Sequence, residues 1–186
     1  EPVCLADLFN DIKHSYSSEM ANSGLEFKIS VGESVPALLL LDEFRIRQII
    51  SNLLSNSLRF TTSGYISLSV IAAVRNAGQT ADLTISVQDT GQGIHSDDLK
   101  ELFKPLSEKK LQRIPQSGGT GLGLIICHHL VELMGGKIKV KSEIQCGSRF
   151  DVIIRDVRVA QPEASAVTSG KVGRQNFRFN GQKILV

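Results

Sequence analysis

The chain has 186 residues, 41% of them hydrophobic and 22% charged, which is the composition of a soluble globular domain with a sizeable core. A net charge of +2 and the lack of tryptophan disfavour nucleic-acid binding, and the aliphatic run 37–41 is far shorter than the ~20 residues of a membrane helix. The three widely spaced cysteines form neither a zinc motif nor a disulfide framework, so we expect a reducing, intracellular setting.

The first 60 residues predict two helices separated by two strands. Residues 5–20 carry apolar side chains at helical spacing. Segments 25–31 and 36–41 indicate strands around a turn that contains a glycine. Asp42 is a suitable N-cap for a long helix that continues to Phe60, where "TTSG" ends it.

The middle of the chain predicts a hairpin, a turn and a short helix. Strands at 65–74 and 82–89 are joined by a hairpin-like connection. A glycine turn follows, and either Ser96 or Asp97 is expected to cap a short helix. Residues 104–119 are polar and broken by prolines and glycines, which indicates a mobile surface loop.

The remaining segments complete the predicted domain. A helix begins at about Leu122 and ends at the glycine pair 135–136, and a hairpin follows it. These elements predict an α+β fold, a two-layer α/β sandwich whose mixed, mainly antiparallel sheet has helices on one face. From residue 160 to about 182 the composition becomes that of a linker.

Three amides of the long predicted helix lie on one stripe. Gln48, Asn52 and Asn56 are spaced four residues apart on a helix that is otherwise largely apolar. Such amides either face solvent or cap a neighbouring loop, or one of them supplies an oxygen ligand to a hard cation such as Mg²⁺.

Two glycine-rich segments follow predicted strands or precede helices. "QDTGQGI" places Asp89 at a strand end, where the carboxylate either accepts a hydrogen bond from a purine amine or belongs to an ordinary turn that caps a helix. "SGGTGLGLIICHHL", residues 117–130, puts four glycines at a helix N-terminus, as a hinge or as a cradle for phosphate. It matches neither the P-loop nor the dinucleotide-binding pattern.

The order of these features resembles the ATP-binding catalytic domain of sensor histidine kinases. That domain has the Bergerat fold of the GHKL superfamily, which it shares with gyrase, MutL and Hsp-type chaperone ATPases. "QIISNLLSNSLRFT" is similar to the N box, "DTGQGI" to the first glycine box, "LFKPL" to the F box and "GGTGLGL" to the second glycine box. "GGKIKVKSEIQCGSRFDVII" resembles the terminal hairpin, so the likeness covers roughly residues 1–155.

The resemblance implies ATP and Mg²⁺ as cofactors and assigns roles by position. Asn56 would be the Mg²⁺ ligand, with Asn52 assisting near the phosphates. Arg59 would reach the phosphates, Phe60 would line the adenine site, and Asp89 would bind the adenine amino group. The other implied nucleotide contacts shape the adenine pocket, close over the phosphates or support adenine through water: Gly91, Gly93, Ile94, Gly119, Thr120, Gly121, Leu122, Gly123 and Ser148.

Gln48 favours a kinase over an ATPase. The hydrolytic members of the superfamily carry a Glu at this position to activate water, and an amide cannot take that proton. Phosphoryl transfer remains possible because a His on a separate dimerisation domain supplies the nucleophile. None of the chain's own histidines has the phosphoacceptor context, and all are expected to be structural or surface residues: His14, His95, His128 and His129. The alternatives are a nucleotide-binding regulatory module without kinase activity and a GHKL-type ATPase.

We expect three segments along the chain: a catalytic and ATP-binding domain at 1–158, a linker at 159–181, and the possible start of a receiver domain at 182–186. This predicts a hybrid two-component kinase whose partners are its own dimerisation and His-phosphotransfer domain and a response-regulator receiver domain. No nucleic-acid partner and no direct membrane contact of this fragment are expected. The resemblance implies a cytoplasmic location, with the parent protein anchored in the cell membrane.

Overall fold

The computed structural model describes residues 1–100, 102–103 and 122–160. The elements, in chain order, are β1 (Pro2–Val3), α1 (Leu5–Asn22), β2 (Glu26–Val31), β3 (Leu39–Leu40), α2 (Glu43–Phe60), β4 (Tyr65–Arg75), a 3-10 turn (Asn76–Gly78), β5 (Thr80–Asp89), α3 (Ser96–Leu99), α4 (Leu122–Leu133), β6 (Lys137–Glu143) and β7 (Gly147–Arg158). None of the described helices is long and apolar enough to cross a membrane.

Five strands form one sheet in the order β2-β4-β5-β7-β6. Strand β2 runs parallel to β4, and the other neighbours are antiparallel. Strand β3 is shorter than the predicted 36–41 and pairs with β1 in a separate two-stranded sheet. The predicted α+β class with a mixed, mainly antiparallel sheet is confirmed.

One face of the sheet forms the core beneath the helices. Side chains alternate along β4, where Ile66, Leu68 and Val70 are buried while the serines between them face the other side. Helix α2 packs on β4 and β5, α4 packs on α2 and β6, and α1 packs on β2. Burial of each such aliphatic side chain stabilises the fold by about 1.5–3 kcal/mol, which makes this apolar face the main source of stability.

The helix ends are set by local hydrogen bonds. The Asp42 side chain accepts a hydrogen bond from the Arg45 amide at 3.1 Å, as predicted for the N-cap of α2. Helix α4 ends at Leu133, and Gly135, two residues later, has a φ of +68°, the left-handed conformation expected of a glycine that follows a helix. The predicted Ser96 or Asp97 cap is wrong: the N-cap of α3 is His95, whose Nδ1 accepts from the Asp97 amide at 3.4 Å.

The last described residues still belong to the domain. The Val159 amide donates to the Gln79 carbonyl at 2.8 Å, and the Ala160 amide donates to the Leu38 carbonyl at 3.0 Å. The predicted loop at 104–119, the linker beyond residue 160 and the segment 182–186 lie outside the described residues.

Gly147 permits a close approach of two strands. It begins β7 with a φ of +94°, and a Cβ at this position would lie 2.0 Å from the carbonyl oxygen of Asp89. The neighbouring pair Asp89–Ser148 is therefore in register because residue 147 has no side chain.

Replacing Gly147 by alanine should destabilise the domain by about 3 kcal/mol or more, because left-handed strain adds to a backbone clash. Gly135→Ala is the matched control, since its φ is +68° but nothing lies within 4 Å of an added Cβ. It should cost only about 1–2 kcal/mol. Urea unfolding of both variants measures the difference, and equal losses would contradict a role for the close approach.

Candidate functional site

A cavity of about 810 Å³ lies between α2, the turn after β5, the start of α4 and the β6–β7 hairpin. Its volume suits a ligand of nucleotide size. Many of the residues singled out from sequence line it: Asn56, Arg59, Phe60, Asp89, Gly93, Ile94, Gly123 and Ser148. The structure thus brings together residues that are up to 92 positions apart, from Asn56 to Ser148 (148 − 56).

Asp89 lies at the base of the cavity and is only 5% exposed. Its Oδ1 accepts hydrogen bonds from the backbone amides of Gly91 at 2.9 Å and Ser148 at 3.2 Å. Its Oδ2 accepts one from the Ser57 hydroxyl at 3.2 Å. The carboxylate is therefore held in one orientation by donors from three different elements.

Burial raises the pKa of the Asp89 carboxyl above its usual value, and the hydrogen bonds from Gly91, Ser57 and Ser148 act in the opposite direction. The folded state consequently binds this proton more tightly than the unfolded chain does. This group's contribution to folding stability is fully present below the ordinary Asp pKa and is lost as the pH rises through the raised pKa. At neutral pH the ionised carboxylate is a cost to the fold, which is typical of a functional group.

Ser57 was not singled out from sequence, although a signal was present. It lies four residues after Leu53 and three after Leu54, on the buried stripe of α2, and is only 2% exposed. A hydroxyl on an apolar stripe needs a buried partner, and here that partner is Asp89.

A second missed residue, Ser142, connects the turn after β5 to the hairpin. Its hydroxyl accepts from the Ile94 amide at 2.8 Å and donates to the Gly147 carbonyl at 2.9 Å. Since that donation uses its single proton, the Ser148 hydroxyl is the donor in the 2.9 Å Ser142–Ser148 contact. Ser148 therefore supports the site twice, through its backbone amide and through its side chain.

The glycines of "DTGQGI" make room for protein backbone. A Cβ on Gly91 would lie 2.3 Å from the Phe60 carbonyl oxygen, and one on Gly93 would lie 2.0 Å from the Glu143 carbonyl oxygen. These glycines press the turn against the end of α2 and against the β6–β7 hairpin. Gly93 also lines the cavity.

The amide stripe of α2 divides into residues with different surroundings. Asn56 lines the cavity, whereas the Asn52 side chain donates to the Gly123 carbonyl at 3.4 Å and lies against the Cys127 thiol. Burial raises the pKa of Cys127 to about 11, with the Asn52 hydrogen bond opposing the shift, so this thiol stays neutral. Gln48 is half-buried and is not one of the described residues that line the cavity.

Arg59 and Phe60 form the exposed rim of the cavity. The guanidinium carbon of Arg59 lies 4.9 Å from the centre of the Phe60 ring, a cation–π arrangement that orients both side chains. Gly123, in the first turn of the 12-residue helix α4, also lines the cavity. Of the remaining predicted contacts, Leu122 is described only as the first residue of α4, and Gly119, Thr120 and Gly121 lie outside the described residues.

The cavity lining combines two kinds of chemistry. Asp89 offers a buried, fixed carboxylate acceptor, while Asn56, Arg59 and the N-terminal turn of α4 offer an amide, a guanidinium and a helix end that favours anions. A ligand that carries both an amine and negative charge matches this lining.

A family model described as "Histidine kinase-, DNA gyrase B-, and HSP90-like ATPase" matches residues 41–158, more than half of the chain. The chain belongs to this family. It is 35% identical over 160 residues to the autoinducer 2 sensor kinase/phosphatase LuxQ of Vibrio cholerae, covering 86% of this chain and 18% of LuxQ. It is also 35% identical over 143 residues to the hybrid signal transduction histidine kinase A of Dictyostelium discoideum, covering 74% of this chain and 7% of that protein. The chain thus spans less than a fifth of these relatives.

Solved structures of histidine kinases are also similar to this chain. Full-length ShkA in complex with AMPPNP is similar with a TM-score of 0.69 and 28% identity, over 86% of this chain and 32% of that one. The nucleotide-free catalytic domain of the histidine kinase ThkA matches with a TM-score of 0.67 and 22% identity, over 84% of this chain and 97% of that one, which shows the shared fold. The predicted resemblance to the catalytic domains of sensor histidine kinases is confirmed.

Ser57→Ala should raise the pKa of Asp89 further, because it removes a hydrogen bond that favours the ionised carboxylate. An NMR titration that follows the Asp89 carboxyl carbon measures this shift. Ser86→Ala is the matched control: Ser86 is also buried, but its hydroxyl bonds to Asp151. An Asp89 pKa that is unchanged in Ser57→Ala would contradict the proposed electrostatic support.

Proposed function

We propose that residues 1–158 form a protein-histidine kinase catalytic domain that binds Mg-ATP and positions its γ-phosphate for transfer to a His on a separate dimerisation domain. The observation that carries this proposal is the buried, oriented carboxylate of Asp89 in a cavity whose lining also includes an amide, a guanidinium and a helix N-terminus that favours anions. The family membership supports it, as does the likeness to ShkA, which was solved with an ATP analogue.

The adenine amino group is the proposed partner of Asp89. Oδ1 already accepts two hydrogen bonds and Oδ2 accepts one, so Oδ2 retains a free acceptor site. An exocyclic amine donates to that site. A carbonyl oxygen in the same place, as in guanine, would face the carboxylate and be repelled, which predicts selection of ATP over GTP.

The phosphates are proposed to lie near Asn56, Arg59 and the start of α4. Asn56 fits a Mg²⁺ site because its amide offers a neutral oxygen on the cavity wall, and a Mg²⁺ ion commonly takes one or two protein oxygens while phosphates and waters supply the rest. Mg²⁺, when bound, neutralises phosphate charge. Asn52, which already contacts Gly123, would assist by fixing the first turn of α4 next to the phosphates.

Transfer is favoured over hydrolysis by the residue type at position 48. Gln48 occupies the position where a hydrolytic enzyme would need a carboxylate, and an amide does not act as a general base there. The nucleophile is proposed to come from the dimerisation domain, since the His95 Nδ1 caps α3 and the His128 ring stacks on Phe103.

The wider assignment follows from this role. We infer that the domain works with a dimerisation and His-phosphotransfer domain of the same kinase and with a response-regulator receiver domain. The segment 182–186 is proposed to begin such a receiver domain after a linker, an arrangement supported by similarity to a Dictyostelium protein named as a hybrid kinase. Use of ATP is consistent with a cytoplasmic location, and we propose that the parent protein is anchored in the cell membrane.

Asp89→Asn should reduce ATP affinity about tenfold to a hundredfold, because a hydrogen bond to a charged acceptor is lost. The fold should persist, since the amide oxygen can keep the Gly91 and Ser148 bonds while its nitrogen donates to Ser57. Calorimetric titration of ATP and GTP measures both affinities. Asp151→Asn, on the polar face of the sheet, is the control, and unchanged ATP affinity in Asp89→Asn would refute the adenine assignment.

Asn56→Ala should lower transfer of labelled γ-phosphate from ATP to the dimerisation domain by at least about a hundredfold, because the metal and phosphates lose a positioning ligand. Circular dichroism checks the fold, and Ser51→Ala, on the same helix but outside the residues that line the cavity, is the control. Unchanged transfer would contradict the metal role. Steady ATP turnover by the isolated wild-type chain would favour the ATPase alternative, and nucleotide binding without any transfer would favour a regulatory module.

A further inference from the structure

A cluster of two histidines and a glutamate lies on the outer side of α4. His128 Nδ1 is 3.3 Å from Glu132 Oε2, and His129 Nδ1 is 3.5 Å from the same oxygen. One donor atom from each of the three residues lies within 4.8 Å of the others. The cluster does not line the nucleotide cavity, and the function proposed above makes no use of it.

We propose that His128, His129 and Glu132 form a binding site for a divalent transition-metal ion of the Zn²⁺ class. In a tetrahedral zinc site with bonds of about 2.0–2.2 Å, neighbouring ligand atoms are separated by ~3.4 Å. The two histidine–glutamate distances already have this value. Only the two imidazoles must move closer to each other, by a side-chain rotation at His129, which is 72% exposed.

The donor set selects the metal. Two imidazole nitrogens and one carboxylate oxygen suit Zn²⁺, Cu²⁺ or Ni²⁺, whereas Mg²⁺ requires oxygen ligands. The site is therefore chemically distinct from the proposed Mg-ATP site. It would bind Zn²⁺ even in the presence of Mg²⁺, because Mg²⁺ would not occupy it. The exposed fourth position is open to water, as in zinc sites with three protein ligands.

The position of the site gives it a structural consequence. The His128 ring stacks on Phe103 with ring centroids 5.2 Å apart, and Leu124, one turn earlier on α4, lines the nucleotide cavity. A bound ion would fix the His128 ring through Nδ1 while its face stays against Phe103. The metal would thus brace α4 against the segment that follows α3.

Titration of the nucleotide-free 186-residue chain with ZnCl₂, followed by calorimetry, tests the site. We expect one ion per chain, no competition from excess Mg²⁺, and a loss of affinity of about tenfold or more in His129→Gln and in Glu132→Gln. His95→Gln, which removes an exposed histidine elsewhere, and Cys146→Ser, which removes an exposed thiol, should bind zinc as the wild type does.

Imidazole NMR resonances provide a second readout in the wild-type chain itself. Substoichiometric Zn²⁺ should shift the ring signals of His128 and His129 and leave those of His14 and His95 in place. Equal zinc affinity of wild type and His129→Gln, or a loss of binding in Cys146→Ser, would overturn the proposal, as would uniform shifts of all four histidines.

Discussion

The buried carboxylate of Asp89 is the point at which three separate segments of the chain meet. Ser57 reaches it from α2, Gly91 from the turn after β5, and Ser148 from β7. All three donors are neutral, so they orient the charge without compensating it fully, and burial keeps the pKa of the carboxyl raised. A ligand amine that adds a fourth hydrogen bond therefore offsets part of the unfavourable free energy of burying this charge. The buried carboxylate lowers the stability of the free protein and strengthens the binding of such a ligand.

The close backbone contacts around this carboxylate depend on glycines, which have no side chain. Gly91, Gly93 and Gly147 each bring a backbone against a carbonyl oxygen at a distance that no Cβ could occupy. Seen from the sequence, the first two of these glycines suggest space for a ligand; in the structure they hold the turn, α2 and the hairpin together. The close packing of the turn after β5, α2 and the β6–β7 hairpin therefore forms a wall of the ligand pocket.

The features that the sequence predicted correctly include two helix ends, because these depend on neighbouring residues alone. Asp42 and Gly135 were identified as helix ends because capping needs only neighbouring residues. The motif order identified Asp89, Asn56 and Ser148 as members of one site, and they do line one cavity. What could not be predicted depends on tertiary contacts: the parallel pairing of β2 with β4, and the hydroxyls of Ser57 and Ser142, whose partners lie 32 and 48 residues away.

The three cysteines differ in a way that bears on how the site can be observed. Cys127 is buried beneath α2 as a neutral thiol and will resist electrophiles, and Cys4 is half-buried at the start of α1. Cys146 is exposed between Gln145, on the cavity wall, and Gly147, against the Asp89 carbonyl. A fluorescent maleimide attached there would sit at the cavity rim, so the native sequence already contains an attachment point for following ligand entry in real time.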